Sequence, residues 1–314
     1  MVKGFILAAG FGTRLRPVTD HLPKALVPLA AKPLLQHAID FLHHGNIGDI
    51  GVNTHYMADK ISTYLAGCGS TIAVFDEQPD IRGTGGALDF ARTFLSEADV
   101  FLVMNVDIVA RFDLKRYLQR FLESPDCCRL LAFPAAGGTG TICYDPRSMR
   151  YRGAASVKET SEDAATADFI GITLYRREFL SLVGPDDFSI LPVWQRAAQE
   201  GMPVSVDLID AGYWRDIGTP ASLAGAHFDI LDGRLDLAVP GTLCIDRTNR
   251  ICYPYGYRGN PADLGKYSWI GERTFLPKGS INRTVVFENA EFPEERKSVA
   301  ATLLTPWGAV PFNE

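Results

Sequence analysis

Apolar runs of strand length alternate with helical stripes along residues 5–133, and this alternation narrows the accessible folds more than any other feature of the chain. Residues 5–8 read as a strand that runs into a glycine-rich turn. Pro33 opens a helix whose Leu34, Leu35, Ala38, Ile39 and Leu42 share one face. Strands at 49–52, 71–75, 100–104 and 129–133 alternate with helices at 57–65 and 86–94. A further helix carries Leu114, Tyr117, Leu118, Phe121 and Leu122 as a stripe behind an N-cap at Asp113. Repeated βα units predict an α/β, Rossmann-like fold, with a mostly parallel sheet and helices on both its faces. Ligands of such sheets bind in the loops at the carboxyl ends of the strands.

From residue 139 to 235 the texture is more mixed. Short strands at 141–144, 155–158, 169–175 and 204–208 alternate with helices near 187–200 and 220–232, the second opened by a Thr219 cap and Pro220. After about residue 237 helical periodicity disappears, and short β-like runs with Gly, Pro and Asn turns take over. Their spacing suits either the coils of a small β-solenoid or an irregular β-cap. The expected organisation is one α/β domain over 1–235 and a β-rich appendage over 236–314. Trp269, Phe275 and Val286 are expected on an exposed face of the appendage, where they would suit a second copy of the chain.

Composition then removes whole classes. With 314 residues, 46% of them hydrophobic and 22% charged, the chain can bury a sizeable core. Acidic residues outnumber basic ones 37 to 31, for a net charge of −6, so the overall field attracts neither nucleic acid nor an anionic membrane. Any anionic ligand has to be held by local groups. The six cysteines form no CxxC pair and have no histidine at metal spacing, which reads as reduced thiols in a cytoplasm. The N-terminal apolar run is short for a signal peptide, and no apolar stretch reaches the roughly 18 residues that span a bilayer.

The strongest local signal is Leu7-Ala8-Ala9-Gly10-Phe11-Gly12-Thr13-Arg14-Leu15-Arg16-Pro17, followed by Pro23-Lys24-Ala25-Leu26-Val27-Pro28. Glycines at a strand end let backbone N–H groups approach a phosphate, and Arg and Lys neutralise it. Leu15 stands where a dinucleotide fingerprint has its third glycine, and no acidic ribose ligand follows about 20 residues on. GxxxxGK[ST] is also absent. Hydride-transfer enzymes and P-loop kinases therefore lose ground.

The run resembles the signature GxGTRLxPxTxxxPKxLxP of the sugar-1-phosphate nucleotidyltransferases, with Thr19 and Pro23-Lys24 in register. Further stretches resemble that family in its order. Gln78-Pro79 with Gly83-Thr84-Gly85-Gly86 is similar to its base-reading segment, and Asn105-Val106-Asp107 to its N-G-D. Glu159 falls where it has the Glu of E-K-P, and Trp214-Arg215-Asp216-Ile217-Gly218-Thr219-Pro220 matches its W-x-D-x-G-T-P. The resemblance covers about residues 1–233. It implies an enzyme that transfers a nucleotidyl group from a nucleoside triphosphate to a sugar-1-phosphate, in the supply of nucleotide-sugars for cell-envelope polysaccharide.

The implied roles follow the residues. Leu7, Ala8, Ala9, Gly10, Gly12 and Thr13 would line the nucleotide, with Gln78, Gly83 and Thr84 at its base. Arg14 would clamp the triphosphate, and Lys24 would hold the α-phosphate and the attacking phosphate. Asn105, Glu159 and Gly171 would hold the sugar phosphate, and Asp107 and Asp216 a magnesium ion. The sequence departs from the family at two points on the sugar side. Thr160 replaces a lysine whose work would fall to Lys158, Arg152 or Arg215, and Val106 replaces the glycine of N-G-D. The cues to the base disagree: Gly83-Thr84-Gly85-Gly86 is nearest to guanylyl-transferring branches, and Gln78 to uridylyl or thymidylyl ones. The alternative reading is a regulatory protein that binds a nucleotide or nucleotide-sugar on the same fold with little catalysis.

Overall fold

Val2–Leu7 forms β1, whose inner residues are buried on both faces, as in a central strand of a covered sheet. The structure is a computed structural model and describes residues 1–68, 72–135, 140–155, 164–274, 280–291 and 298–313. The chain falls into two compact units: Met1–Gly10 with Ala38–Trp214, and Phe11–His37 with Arg215–Glu314. Residues 236–314 therefore share a unit with 215–235 and with the segment that carries Arg14 and Lys24.

After β1 the order is α1 (Leu34–His44), β2 (Asp49–Thr54), α2 (Ala58–Gly67), β3 (Ile72–Asp76), α3 (Gly83–Phe90), α4 (Arg92–Ser96) and β4 (Val100–Asn105). Then come β5 (Ile108–Arg111), α5 (Leu114–Leu122), β6 (Cys128–Pro134), β7 (Ile142–Tyr144), β8 (Tyr151–Ala154) and β9 (Ala165–Arg176). α6 (Ile190–Gln199), β10 (Val204–Leu208) and β11 (Tyr213–Asp216) follow. The main sheet of the first unit runs β8-β7-β9-β4-β1-β2-β3, with β6 beside β9 and β10 beside β6. β1, β2, β3, β4, β6, β7 and β10 point one way, and β8 and β9 the other. The central sheet is thus mostly parallel, as the alternation of strands and helices predicts. β9 is 12 residues long and reaches β4, β6 and β7, with a register shift between Phe169 and Ile172.

Local signals place most helices. Asp113 accepts from Arg116 N and caps α5, whose Leu114, Tyr117, Leu118 and Phe121 are buried. Leu122, expected in that stripe, is exposed at the last position of the helix. The single helix expected at 86–94 is instead α3 and α4, which meet at Ala91. It starts earlier because the glycines at its head, lacking side chains, can pack directly on the loop before α6. α6 itself begins at Ile190, after a Ser189 cap. The strand expected at 155–158 does not include Ala155, since β8 ends at Ala154, and 156–158 lie outside the described residues. Trp194 Nε1 donates to Tyr175 Oη at 2.9 Å, so the largest rings of the first unit's core leave neither polar handle unpaired.

In the second unit, α7 (Pro220–Leu231) starts with a full capping box between Thr219 and Ser222. The six strands that follow are β12 (Leu243–Asp246), β13 (Ile251–Pro254), β14 (Ser268–Ile270), β15 (Ser280–Val286), β16 (Ser298–Thr305) and β17 (Gly308–Pro311), paired in chain order. β13 to β16 are parallel, with Ile251, Ser268, Thr284 and Thr302 in line, and antiparallel β12 and β17 close the two edges. A stack of parallel rungs is the solenoid-like arrangement expected of this region. Ser268, Thr284 and Thr302 are buried, yet each hydroxyl donates to a carbonyl, of Gly265, Asn282 and Ala300 respectively.

The exposed face expected of Trp269 and Val286 is a misreading. Both are buried, Trp269 against the His227 ring at 4.9 Å, because β14 is buried at all three positions and Val286 continues the same ladder into Leu304. Phe275 lies outside the described residues. Trp307, in the turn between β16 and β17, stacks on His21 with centroids 5.0 Å apart and planes 7° from parallel. All six cysteines are free thiols, and no helix among the described residues is long and apolar enough to cross a membrane.

His227 is a buried histidine held neutral. Its Nε2 accepts from Ala30 N at 3.2 Å and its Nδ1 donates to Leu223 O at 2.9 Å, a pairing that only one neutral tautomer satisfies. Burial pushes its pKa from 6.5 down to about 4. Above 6.5 the ring is neutral whether the chain is folded or not. Between 6.5 and about 4 the unfolded chain binds a proton that the folded one resists, so stability falls by about 3 kcal/mol across that window. Urea unfolding at pH 7 and pH 4.5 should show this loss, and His227→Gln, which does not titrate, should be less sensitive to the same change.

Candidate active site

The first strand ends where three others offer polar groups. Leu7 O accepts from Val106 N at 3.1 Å, which ties the phosphate-loop strand to the turn that carries Asp107 between β4 and β5. Ala8 N donates to Asn53 Oδ1 at 2.7 Å, and Asn53 Nδ2 donates to Glu77 Oε1 at 2.7 Å. Glu77 Oε2 in turn accepts from Arg82 N at 2.8 Å. Asn53 and Glu77 are 2% and 0% exposed, so this network is fully inside the protein. Since the N–H of Ala8 is already used, Ala8 can offer a ligand only its carbonyl. Ala9 O accepts from Tyr56 N at 3.4 Å. Gly10 is exposed, and a Cβ there would meet nothing within 4 Å, which leaves room for a phosphate to approach the backbone.

The glycine-rich head of α3 is built for backbone contact. Gly83 has φ +70°, and a Cβ on it would lie 2.1 Å from Phe188 O. Gly85 N donates to that same carbonyl, and Thr84 Oγ1 accepts from Ile190 N at 2.9 Å. The segment expected to read a base therefore also fixes the start of α6. Gln78 is exposed, and its Nε2 donates to His55 O at 3.3 Å.

Beside this junction lies a cavity of about 260 Å³ that gathers Leu7, Thr84, Asn105 and Gly171 from four separate stretches of chain. Phe169, Tyr175 and Trp194 contribute aromatic walls, and among the described residues no charged side chain lines it. Asn105 and Gly171 adjoin, since a Cβ on Gly171 would come 2.9 Å from Asn105 Nδ2. A pocket with aromatic walls and a few amide and hydroxyl groups suits a sugar ring or a base.

The second unit carries the expected cations and one of the two carboxylates. Thr13 opens a single 3₁₀ turn, Thr13–Leu15, whose Leu15 is fully buried where a dinucleotide fingerprint would need glycine. Gly12, at φ +63°, has Thr19 and Lys24 about it, with the Cβ of Lys24 3.0 Å from where a Gly12 Cβ would stand. Thr19 Oγ1 donates to Gly12 O at 2.8 Å and locks that turn to the Val18–Asp20 turn that precedes Lys24. Arg14 Nη2 pairs with Asp216 Oδ2 at 3.4 Å. A Cβ at Gly218 would lie 2.6 Å from Arg14 Nη2 and 2.7 Å from Asp216 Oδ1, so only glycine leaves both in place. Arg215 is held elsewhere, with Nη2 2.6 Å from the buried Asp229.

Arg215 and Arg152, offered as substitutes for the missing lysine, thus each already hold a carboxylate, Asp229 and Asp145. Glu159, Lys158 and Thr160 lie outside the described residues. No group of three or more His, Cys, Asp or Glu that could hold a metal occurs among the described residues. Neither the buried bond between Asn53 and Glu77 nor the part Glu77 plays at the head of α3 follows from a motif. The sequence signal for each is a polar residue at the end of an apolar strand.

Comparison with known proteins agrees with the sequence resemblance. Residues 3–136 match the family described as Nucleotidyl transferase. The chain is 31% identical over 246 residues to the N-acetylmuramate alpha-1-phosphate uridylyltransferase of Caulobacter vibrioides, covering 71% of this chain and 94% of that one. It is 39% identical to the bifunctional protein GlmU of Methanocaldococcus jannaschii, over 93% of this chain and 75% of that one. The fold matches HddC from Yersinia pseudotuberculosis, crystallised with GMP-PN, at a TM-score of 0.60 and 22% identity, covering 72% of this chain and 98% of that one.

Two substitutions test the packing around the site. Gly83→Ala puts a Cβ against a backbone carbonyl at a left-handed φ, and should cost about 2 kcal/mol or more in chemical unfolding. Asn53→Ala strands the Ala8 N–H and part of the Glu77 carboxyl group, and should cost about 2 kcal/mol. An unchanged unfolding midpoint in either variant would contradict the packing described.

Proposed function

Because the chain belongs to the sugar-1-phosphate nucleotidyltransferases and is an enzyme of nucleotide-sugar synthesis, we propose that it works by one magnesium-dependent, in-line step with no covalent enzyme intermediate. An oxygen of the sugar-1-phosphate attacks the α-phosphorus of a nucleoside triphosphate. A new P–O bond forms, the bond to the β-phosphate oxygen breaks, and pyrophosphate leaves. The nucleophile is already an anion, so no Ser, Cys or His has to be activated. The difficulty is to bring two anions together and to stabilise the charge that leaves.

The cavity that gathers Leu7, Thr84, Asn105 and Gly171 is the observation that supports this reading. It offers an aromatic-walled seat beside a strand end whose Gly10 is open. In this reading Gly10, Gly12 and Thr13 admit the triphosphate to the backbone. Gln78 and Gly83 read the base, and Asn105, Glu159 and Gly171 hold the sugar side. Lys24 holds the α-phosphate and the attacking phosphate, and Arg14 neutralises the triphosphate and the leaving pyrophosphate.

Asp107 and Asp216 are the proposed magnesium ligands. The donor set fits that ion: two hard carboxylates, with the remaining oxygens from phosphate and water. The absence of a side chain at Gly218 leaves room for the Asp216 carboxylate, whose Oδ1 a Cβ there would approach to 2.7 Å. A magnesium ion held by Asp107 and Asp216 would act as a Lewis acid and offset phosphate charge.

The test is pyrophosphate release from a panel of four nucleoside triphosphates against several sugar-1-phosphates. At least one pair should turn over. Lys24→Ala and Asp107→Asn should each lower kcat by about 100-fold or more, since each removes a partner of transition-state charge. Folded protein that turns over no pair would overturn the reading, and a wild-type rate in either variant would remove the role assigned to that residue.

A further inference from the structure

A second cavity in the first unit, of about 430 Å³, shares no lining residue with the first. Arg120 of α5, Arg129 of β6 and Arg150 just before β8 line it, together with Asp126 and Asp207. These five charges form a chain of alternating sign. Arg120 Nη1 lies 3.1 Å from Asp207 Oδ1, and Asp207 Oδ2 lies 3.3 Å from Arg129 Nη1. Arg129 Nε and Nη2 both bind Asp126 Oδ2, and Asp126 Oδ1 lies 2.9 Å from Arg150 Nη1. The Asp126 and Asp207 side chains are 6% and 4% exposed, and such carboxylates stay inside a protein only when paired.

The two ends of the chain differ from its middle. Arg129 spends all three of its nitrogens on the two carboxylates. Arg120 commits only Nη1, to Asp207, and Arg150 only Nη1, to Asp126 and Ser205. Nε and Nη2 of both have no hydrogen-bond partner among the described residues, and both side chains are about half exposed, at 49% and 42%. The chain is therefore open, with a cation at each end, a net charge of +1 and both ends facing one cavity. The buried carboxylates hold each guanidinium by one corner and leave its other edge available, the presentation that suits an oxyanion with several acceptor oxygens.

We propose that this cavity is a second anion site, which takes the phosphate group of a small phosphorylated molecule between Arg120 and Arg150. A phosphate there completes the alternation of charge. Neither arginine belongs to the machinery proposed for nucleotidyl transfer, so the site is separate from that chemistry, and the inference does not depend on it.

Calorimetric titration with inorganic pyrophosphate tests this in wild type, Arg120→Ala, Arg150→Ala and Lys24→Ala. Each arginine substitution leaves both buried carboxylates with Arg129, so the fold should survive, and thermal melting checks that it does. The expected result is two classes of site in wild type. One is weakened in Lys24→Ala, and the other is weakened at least tenfold in both arginine variants, whose turnover stays at the wild-type level. Folded arginine variants that bind pyrophosphate as wild type does overturn the second site. Failure of Lys24→Ala to alter binding counts against the role given to Lys24 and leaves the arginine result standing.

Discussion

One amide side chain sets the geometry on which the first unit's site depends. Asn53 stands at the end of β2, accepts the N–H that β1 presents at Ala8, and donates to the carboxyl group of Glu77 just past β3. Three parallel strands are thereby joined at their carboxyl ends, beyond the last rungs of their ladders. In a dry interior each of these bonds is stronger than in water, and each lost partner leaves a buried polar group unpaid. Glu77 also accepts from Arg82 N, immediately before the Gly83 turn. The position of the glycine-rich helix head, and through Thr84 that of α6, follows from the same buried network.

The second unit shows how charge is sorted where four titratable residues lie close in sequence or space. Arg215 and Asp216 are adjacent in the chain and have opposite charges, yet they do not pair with each other. Consecutive residues of a strand point to opposite sides. Arg215 is drawn to the buried Asp229 on α7, and Asp216 to Arg14, 202 residues away in sequence. An arginine that could have neutralised the acidic residue beside it instead satisfies a carboxylate that burial would otherwise make costly. The contact between Asp216 and Arg14 is longer and more exposed than that between Arg215 and Asp229.

Features decided within a few residues were legible in the sequence. Asp113 before α5 and Thr219-Pro220 before α7 cap as their types require, and the strand–helix alternation specifies a mostly parallel sheet. The phosphate-loop residues could be singled out because glycines, a lysine and arginines are unusual company for a strand end. What could not be read was decided at long range. The bond from Asn53 to Glu77 and the choice of Arg14 by Asp216 depend on which strands become neighbours. Trp269 misled for a related reason. A three-residue strand buried at every position carries no alternation from which to tell inside from outside. The glycines at 83–86 stood out by their resemblance to a base-reading segment, but nothing local told of the close contact that Gly83 and Gly85 make with the carbonyls of the 187–188 loop.

The stack of Trp307 on His21 joins nearly the last structured turn of the chain to one of its first loops. His21 lies between Arg14 and Lys24, in a segment made of single 3₁₀ turns rather than a helix or a sheet. On a ribosome that segment emerges long before its brace. Until Trp307 is made, the loop that carries both cations lacks this stacking partner. A chain that stops a few residues short of Trp307 would keep every motif of the loop while lacking the ring on which His21 rests, so an early loop waits for a much later one to brace it.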